Sequence, residues 1–84
     1  MLSYKQWIET KKIERRFQKQ LKESMAYELS TARDLREARA MHREECSRHT
    51  WLEIEHCKRE NAAAEFRVEK LIQLIRECRE ACKQ

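Results

Sequence analysis

Residues 54–82 read IEHCKRENAAAEFRVEKLIQLIRECREAC, and small, aliphatic or amide side chains recur along them at alternating intervals of three and four residues. The set is Ile54, Cys57, Asn61, Ala64, Val68, Leu71, Ile75, Cys78 and Cys82. This spacing is a heptad repeat, which places its members on one stripe of an α-helix. Because the intervening residues are mostly charged, the stripe predicts a coiled-coil seam that must be covered by a partner helix.

The residue types within the seam favour two-stranded packing. The β-branched residues Ile54, Val68 and Ile75 share one core position of the heptad, and Leu71 occupies the other. Asn61 also lies at a core position, where a polar side chain fixes register and partner number at some cost in stability. The apolar residues off this seam, Phe66, Ile72 and Leu74, indicate that the helix has more than one neighbour.

The composition predicts an all-α chain without a globular core. The 84 residues include no Gly and no Pro, and 40% of them are charged. Such a chain has neither the turn residues nor the apolar content of a compact domain. A single continuous helix of this length would extend roughly 120 Å at about 1.5 Å per residue.

The N-terminus carries a helix start signal. Ser3 and Gln6 have the spacing of a capping box, so we expect the first helix to begin near Tyr4. Tyr4, Trp7 and Ile8 form an apolar cluster close to this end, where little of the chain could bury them. They are either a local cluster or an anchor that enters a pocket of a partner protein.

From Ile13 to Leu29 the apolar residues follow steps of four, and from Ala32 to Met41 they follow steps of three. A step of four overshoots one helical turn by about 40°, and a step of three falls short by about 60°. The stripe therefore wanders around the helix, which predicts contacts with successive neighbours.

The apolar pattern lapses between Met41 and Trp51. Thr50 and Glu53 could form a second capping box, which makes residues 47–50 the best place for a break. Without Gly or Pro we nevertheless expect one long helix, with two helices as the alternative. We divide the single structural unit into an N-terminal amphipathic helix with a basic start, 1–46, and a helix with the heptad seam, 47–84.

The excess positive charge lies at the N-terminus. Residues 1–24 hold seven Lys or Arg and three Glu, which equals the net charge of +4, whereas basic and acidic residues balance over 25–84. This segment either faces solvent or binds an acidic surface such as tubulin, phospholipid headgroups or nucleic acid.

The sequence favours neither catalysis nor a bound metal or cofactor. His42, Cys46, His49 and His56 lie near one helix face, but one straight helix cannot close a tetrahedral zinc site. A chain without glycine has no phosphate-binding loop, and a rod offers no concave pocket for a small-molecule substrate. We therefore expect no enzyme activity, no catalytic or metal-binding residues and no cofactor.

Membrane and nucleic-acid partners are also disfavoured. No apolar run approaches a membrane span, and the N-terminus is too charged for a secretory signal, so we expect an intracellular chain with reduced thiols. Residues 61–67 share fragments of the basic-region signature of zipper transcription factors. Glutamates interrupt the basic surface that phosphate binding requires.

Two segments resemble the cilia- and flagella-associated protein 141 family, which comprises small helical microtubule inner proteins of motile cilia. The matching residues are Glu28, Leu29 and Ala32, followed by His49, Trp51, Leu52, Glu53, Glu55 and His56. The resemblance implies a non-enzymatic structural subunit in the lumen of the axonemal doublet microtubule. Its partners would be tubulin and other filamentous coiled-coil proteins, and its location would be the cytoskeleton of a cilium or flagellum.

Under this hypothesis three groups of residues make the contacts. The anchors are Tyr4, Trp7, Ile8, Phe17 and Trp51; the tubulin-facing basic residues are Lys11, Lys12, Arg15 and Arg16; and the coiled-coil seam is the heptad set above.

Two alternatives remain at the level of sequence. The first is a cytoplasmic adaptor that forms a parallel homodimer through the seam, in which Asn61→Leu should change the oligomer size in solution. The second is a nucleic-acid-binding helix, which predicts salt-sensitive binding by residues 1–24.

Overall fold

The computed structural model describes residues 2–83, which form two α-helices and no strand. Helix α1 runs Tyr4–Glu44, and helix α2 runs Arg48–Lys83 antiparallel to it. The expected all-α fold is confirmed, and of the two arrangements considered the chain adopts the pair of helices. The expectation of one long helix was wrong, because the chain turns back after Glu44. The resulting hairpin measures 61 × 15 × 13 Å.

The predicted start of α1 is confirmed. The Gln6 amide N–H donates to Ser3 Oγ at 3.2 Å, and the Ser3 amide N–H donates to Gln6 Oε1 at 3.0 Å. This reciprocal capping box satisfies two backbone donors that the first turn of a helix leaves without partners.

The turn between the helices needs neither glycine nor proline. Glu45 has φ −127° and ψ 85°, and none of the described residues has a positive φ, so ordinary side chains fit the turn. Helix α2 is capped by Ser47: the Thr50 amide donates to Ser47 Oγ at 3.2 Å, and the Ser47 amide donates to Thr50 Oγ1 at 3.1 Å. The predicted capping box of Thr50 with Glu53 was therefore wrong by one turn. The box is formed by Ser47 as the N-cap residue with Thr50 three residues later.

The heptad seam of α2 is covered by α1 of the same chain. Six of its residues are buried and the other three, Asn61, Cys78 and Cys82, are half-buried. The partner helix that the heptad spacing requires thus lies within the chain and runs antiparallel. The expectation that a partner protein covers this seam was therefore wrong for the hairpin, whereas the parallel homodimer stays a prediction.

Helix α1 covers α2 with a seam of its own, which is half polar. Its residues are Thr10, Glu14, Phe17, Leu21, Ser24, Glu28, Thr31, Leu35, Ala38 and His42, spaced by alternating fours and threes, and all are buried or half-buried. Most of the wandering apolar stripe lies outside this seam, because Ile13, Met25, Leu29 and Met41 are 41–72% exposed. The stripe followed apolar residues, whereas the packed face follows the heptad spacing.

Polar bonds between the helices fix the register of the hairpin. Thr31 Oγ1 donates to Asn61 Oδ1 at 3.0 Å near the middle of the seam, where both side chains are partly buried. Towards the open end, Arg79 Nε donates to the buried carboxylate of Glu14 at 3.1 Å. A one-turn slip would separate both pairs, so these bonds specify one alignment where the seam has few large apolar side chains.

Candidate interaction faces

The hairpin leaves large apolar side chains in contact with solvent even though its seam is covered. Among the described residues eleven are exposed: Tyr4, Trp7, Ile13, Met25, Tyr27, Leu29, Met41, Trp51, Leu52, Phe66 and Ile72. Scattered apolar residues are normal on a protein surface, but here most of them lie along the two broad faces of a narrow rod. Such faces are candidates for contact with other proteins.

The two broad faces can be defined from the seams. The buried Thr50, four residues before Ile54, extends the α2 seam to the turn. In both helices, the residues that directly precede a seam residue lie on one side of the hairpin, and those that directly follow one lie on the other. A groove on the first side brings together Asp34 and Met41 of α1 with Glu53 and Glu60 of α2. A groove on the second side brings Gln18 of α1 close to Ile72, Arg76 and Arg79 of α2.

The second side is a basic face. On α1 the residues that follow a seam position are Lys11, Arg15, Gln18, Lys22, Met25, Leu29, Ala32, Arg36, Arg39 and Arg43, with no acidic residue among them. On α2 they are Trp51, Glu55, Lys58, Ala62, Glu65, Glu69, Ile72, Arg76, Arg79 and Lys83. The three glutamates lie at the turn end and in the middle of α2, so the positive charge is densest towards the open end of the hairpin.

The first side is an acidic face. On α1 it comprises Glu9, Ile13, Arg16, Gln20, Glu23, Tyr27, Ser30, Asp34, Glu37 and Met41. On α2 it comprises His49, Glu53, His56, Glu60, Ala63, Arg67, Lys70, Leu74, Glu77 and Ala81. Its carboxylates are concentrated near the turn, where Asp34, Glu37, Glu53 and Glu60 line one groove. The hairpin therefore has an electrostatic polarity across its width, which net charge does not reveal.

No known family model, characterised protein or solved structure matches the chain. Its two faces, their charge and their exposed apolar side chains are the features from which its function is inferred.

The five proposed anchors lie at different places along the rod. Tyr4 is 79% exposed at the open end, where Trp7 is partly covered by Lys11, whose Nζ lies 5.7 Å from the indole ring centroid. Trp51 is exposed at the turn end, whereas Ile8 and Phe17 are half-buried. The exposed aromatic anchors are thus divided between the two ends of the rod, and they do not form one pocket-filling cluster.

The four basic residues expected to face tubulin do not share one face. Lys11 and Arg15 lie on the basic face, Lys12 lies on the outer side of α1, and Arg16 lies on the acidic face. Lys11 and Lys12 also form ion pairs with glutamates of the same helix, to Glu14 at 3.7 Å and to Glu9 at 3.5 Å. An acidic partner on one side of the hairpin would therefore contact at most part of this set.

Near the turn, His42 contacts both Thr50 and Cys46. His42 Nδ1 lies 2.7 Å from Thr50 Oγ1, and His42 Nε2 lies 3.6 Å from Cys46 Sγ. Within residues 2–83 no group of three or more His, Cys, Asp or Glu side chains is arranged to hold a metal ion. The same residues contain no helix long and apolar enough to cross a membrane.

Within residues 2–83, three side chains have shifted pKa values, and all three shifts favour the neutral form. Burial, reinforced by nearby carboxylates, raises the pKa of the Cys57 and Cys78 thiols. The hydrogen bond that Tyr27 donates to Glu60 at 2.7 Å raises the pKa of the Tyr27 hydroxyl, and the charge of Glu60 adds to this. The thiols therefore act as small apolar side chains of the seam, and Tyr27 acts as a donor that joins the helices on the acidic face.

Sequence reasoning missed the polar half of the α1 seam and the role of Thr50. Thr50 is 4% exposed, and its hydroxyl lies within hydrogen-bond distance of the Glu45 and Ser47 carbonyls at 2.8 and 2.9 Å. The available signal was the unbroken spacing of fours and threes from Thr10 to His42, which is visible only when polar residues are counted as seam members.

Proposed function

We propose that the chain is a non-enzymatic structural subunit that docks, as a preformed helical hairpin, between an acidic protein surface and neighbouring helices of a large assembly. The observation that carries the proposal is the exposure of large apolar residues after the hairpin has covered its own seam. Apolar area buried against a partner contributes about 25 cal/mol per Å², so these residues provide the affinity, and the basic face provides the preference for an acidic partner.

The resemblance to the cilia- and flagella-associated protein 141 family directs this proposal to the axonemal doublet microtubule. Its matching residues include Leu29, Trp51 and Leu52, which are 72%, 51% and 48% exposed. Because these matching apolar residues lie largely on the surface, they contribute more to contacts with other molecules than to the stability of the hairpin. In this proposal the basic face, with its exposed Leu29 and Trp51, binds tubulin. The exposed apolar residues outside that face pack against coiled-coil neighbours, and the subunit stabilises the doublet of a cilium or flagellum.

The alternative of a parallel homodimeric adaptor in the cytoplasm has less support. Such a dimer would use the seam from Ile54 to Cys82, which α1 already covers. The hairpin would have to open and lose the bonds Thr31–Asn61 and Glu14–Arg79 before a second copy could pair there.

The proposal is tested by expressing a tagged copy in a flagellated cell and following it through detergent extraction and a high-salt wash of the axonemes. We expect the protein to stay in the salt-resistant microtubule fraction. Leu29→Gln combined with Trp51→Gln should release most of it, because both side chains are exposed on the docking face outside the seam.

The matched control is Ala26→Gln combined with Ala63→Gln, which changes two exposed positions without removing a large apolar side chain. This variant should be retained like the unmodified protein. Circular dichroism of the purified variants establishes that the hairpin remains helical. Release of the unmodified protein into the soluble fraction would overturn the axonemal proposal.

A further inference from the structure

We propose that copies of the hairpin associate with one another by stacking, with the acidic face of one copy against the basic face of the next. The first argument is charge complementarity within a single molecule. The residues that follow seam positions include ten basic and three acidic side chains, whereas those that precede seam positions include seven acidic and three basic ones. A second copy therefore presents the charge that each face lacks.

The size of the faces suits a stable contact. Each face is as long as the hairpin, 61 Å, and about 15 Å wide, which gives a planar footprint of about 900 Å². A stable protein interface buries about 800 Å² on each partner.

Apolar side chains on both faces supply affinity that charge alone would not. Tyr27 and Met41 are 52% and 57% exposed on the acidic face. Met25, Trp51 and Ile72 are 49%, 51% and 40% exposed on the basic face. Exposed ion pairs contribute little individually and weaken in salt, so the charges set the orientation and rate of association while these residues hold the copies together.

The contact joins two unlike faces, which determines the kind of assembly. A two-fold dimer brings identical patches together, whereas contact between unlike patches leaves one free face at each end and allows further copies to add. A copy that binds an acidic partner through its basic face still offers its acidic face to the next copy. Stacking therefore extends the proposed structural role from one docked subunit to a row of subunits.

The test uses two variants that neutralise one face each. The first variant neutralises part of the acidic face with Asp34→Asn, Glu37→Gln and Glu53→Gln. The second neutralises part of the basic face with Arg15→Gln, Lys22→Gln and Arg36→Gln. All six residues are exposed, and within residues 2–83 none of them forms an ion pair between the helices.

Sedimentation velocity over a range of protein concentrations measures the assembly. The unmodified chain should form a growing series of species in about 50 mM salt and return to monomers in about 500 mM salt, since screening weakens contacts between exposed charges. Each triple variant alone should associate at least tenfold more weakly. An equimolar mixture should form a 1:1 dimer that does not grow, because each variant retains the one face that the other requires.

Three results would overturn the stacking proposal. The first is a monomeric unmodified chain at low salt and high concentration, and the second is a closed dimer that stops growing without any variant. The third is a mixture of the two variants that associates no better than either variant alone. Far-UV circular dichroism of each variant separates these results from unfolding. The measurement requires no tubulin, so it fails or succeeds independently of the axonemal proposal.

Discussion

Leu71 and Phe66 lie five residues apart on α2, and they allow the packing of the hairpin to be tested with one truncation each. Leu71 is 6% exposed on the seam, whereas Phe66 is 68% exposed on the outer side of the helix. Truncating a buried leucine to alanine costs about 2–5 kcal/mol through lost burial and the cavity that remains. We expect about 2–3 kcal/mol for Leu71→Ala, because two helices cannot enclose a cavity on all sides.

The same truncation at Phe66 should change the free energy of unfolding by less than about 0.5 kcal/mol, because the ring buries little surface within the chain. A chain of this length has a total stability of about 4–12 kcal/mol, so the loss at Leu71 is a large share of it. Urea unfolding followed by circular dichroism at 222 nm, in about 500 mM salt to keep the chain monomeric, measures both values. Equal destabilisation by the two substitutions, or a larger effect at Phe66, would refute the assignment of the seam.

Three further predictions concern the turn, the register and the thiols. Thr50→Val keeps the shape of the side chain but removes the hydroxyl that caps the turn. It should lower the free energy of unfolding by about 1–3 kcal/mol, measured by urea unfolding, while Thr50→Ser should lower it less. Equal stability of Thr50→Val and the unmodified chain would show that the cap contributes nothing. Asn61→Leu should leave the free energy of unfolding unchanged or raised, because the Thr31 hydroxyl keeps a second acceptor in the Glu28 carbonyl at 2.9 Å. The substitution should nevertheless allow more than one alignment of the helices, so the distribution of spin-label distances between them should broaden. An unchanged, narrow distribution would contradict this. The pKa of the Cys57 thiol is raised above its ordinary value of 9.0, so less of its thiolate is present between pH 7 and 9. Iodoacetamide should therefore modify Cys57 more slowly than the exposed Cys46. Equal modification rates, measured by mass spectrometry, would argue against the burial of Cys57.

The raised thiol pKa also sets the direction of a pH effect on stability. Folding disfavours the Cys57 thiolate, so the stabilisation is fully present below the unfolded pKa of about 9 and is lost as the pH rises through the folded value. The hairpin should therefore unfold more easily above about pH 9, and Cys57→Ala should reduce this alkaline sensitivity.

The predictable part of the fold was the part with a strong local signal. The seam of α2 could be found because Val68, Leu71 and Ile75 are apolar residues at heptad spacing. The start of α1 could be found because Ser3 and Gln6 form a capping box by local hydrogen bonds alone.

The turn and the second seam could not be found in the same way. The turn depends on the hydroxyl of Thr50, which contacts three backbone atoms of two residues, the Glu45 carbonyl and the Ser47 amide and carbonyl. The α1 seam contains Glu14, Ser24 and Thr31, which become buried only because α2 folds back over them. Apolar residues on the same helix, such as Leu29, stay outside, so hydrophobicity alone identified the wrong face.

The two faces followed from knowing both seams. Charge counted along the chain showed only a basic N-terminus, because acidic and basic residues on α1 alternate in sequence. Sorted by their position before or after a seam residue, the same charges separate onto opposite sides of the hairpin. Folding therefore produces the electrostatic polarity on which the docking and stacking proposals depend.

The central claim is that one chain covers its own seam as an antiparallel hairpin and presents its two faces to partners. Small-angle X-ray scattering of the purified protein in about 500 mM salt tests it most directly. We predict a monomer of 10.3 kDa with a radius of gyration near the 18.7 Å of the Cα trace and a length near 61 Å. A particle roughly 120 Å long with a radius of gyration of about 35 Å, as expected for one continuous helix, would contradict it.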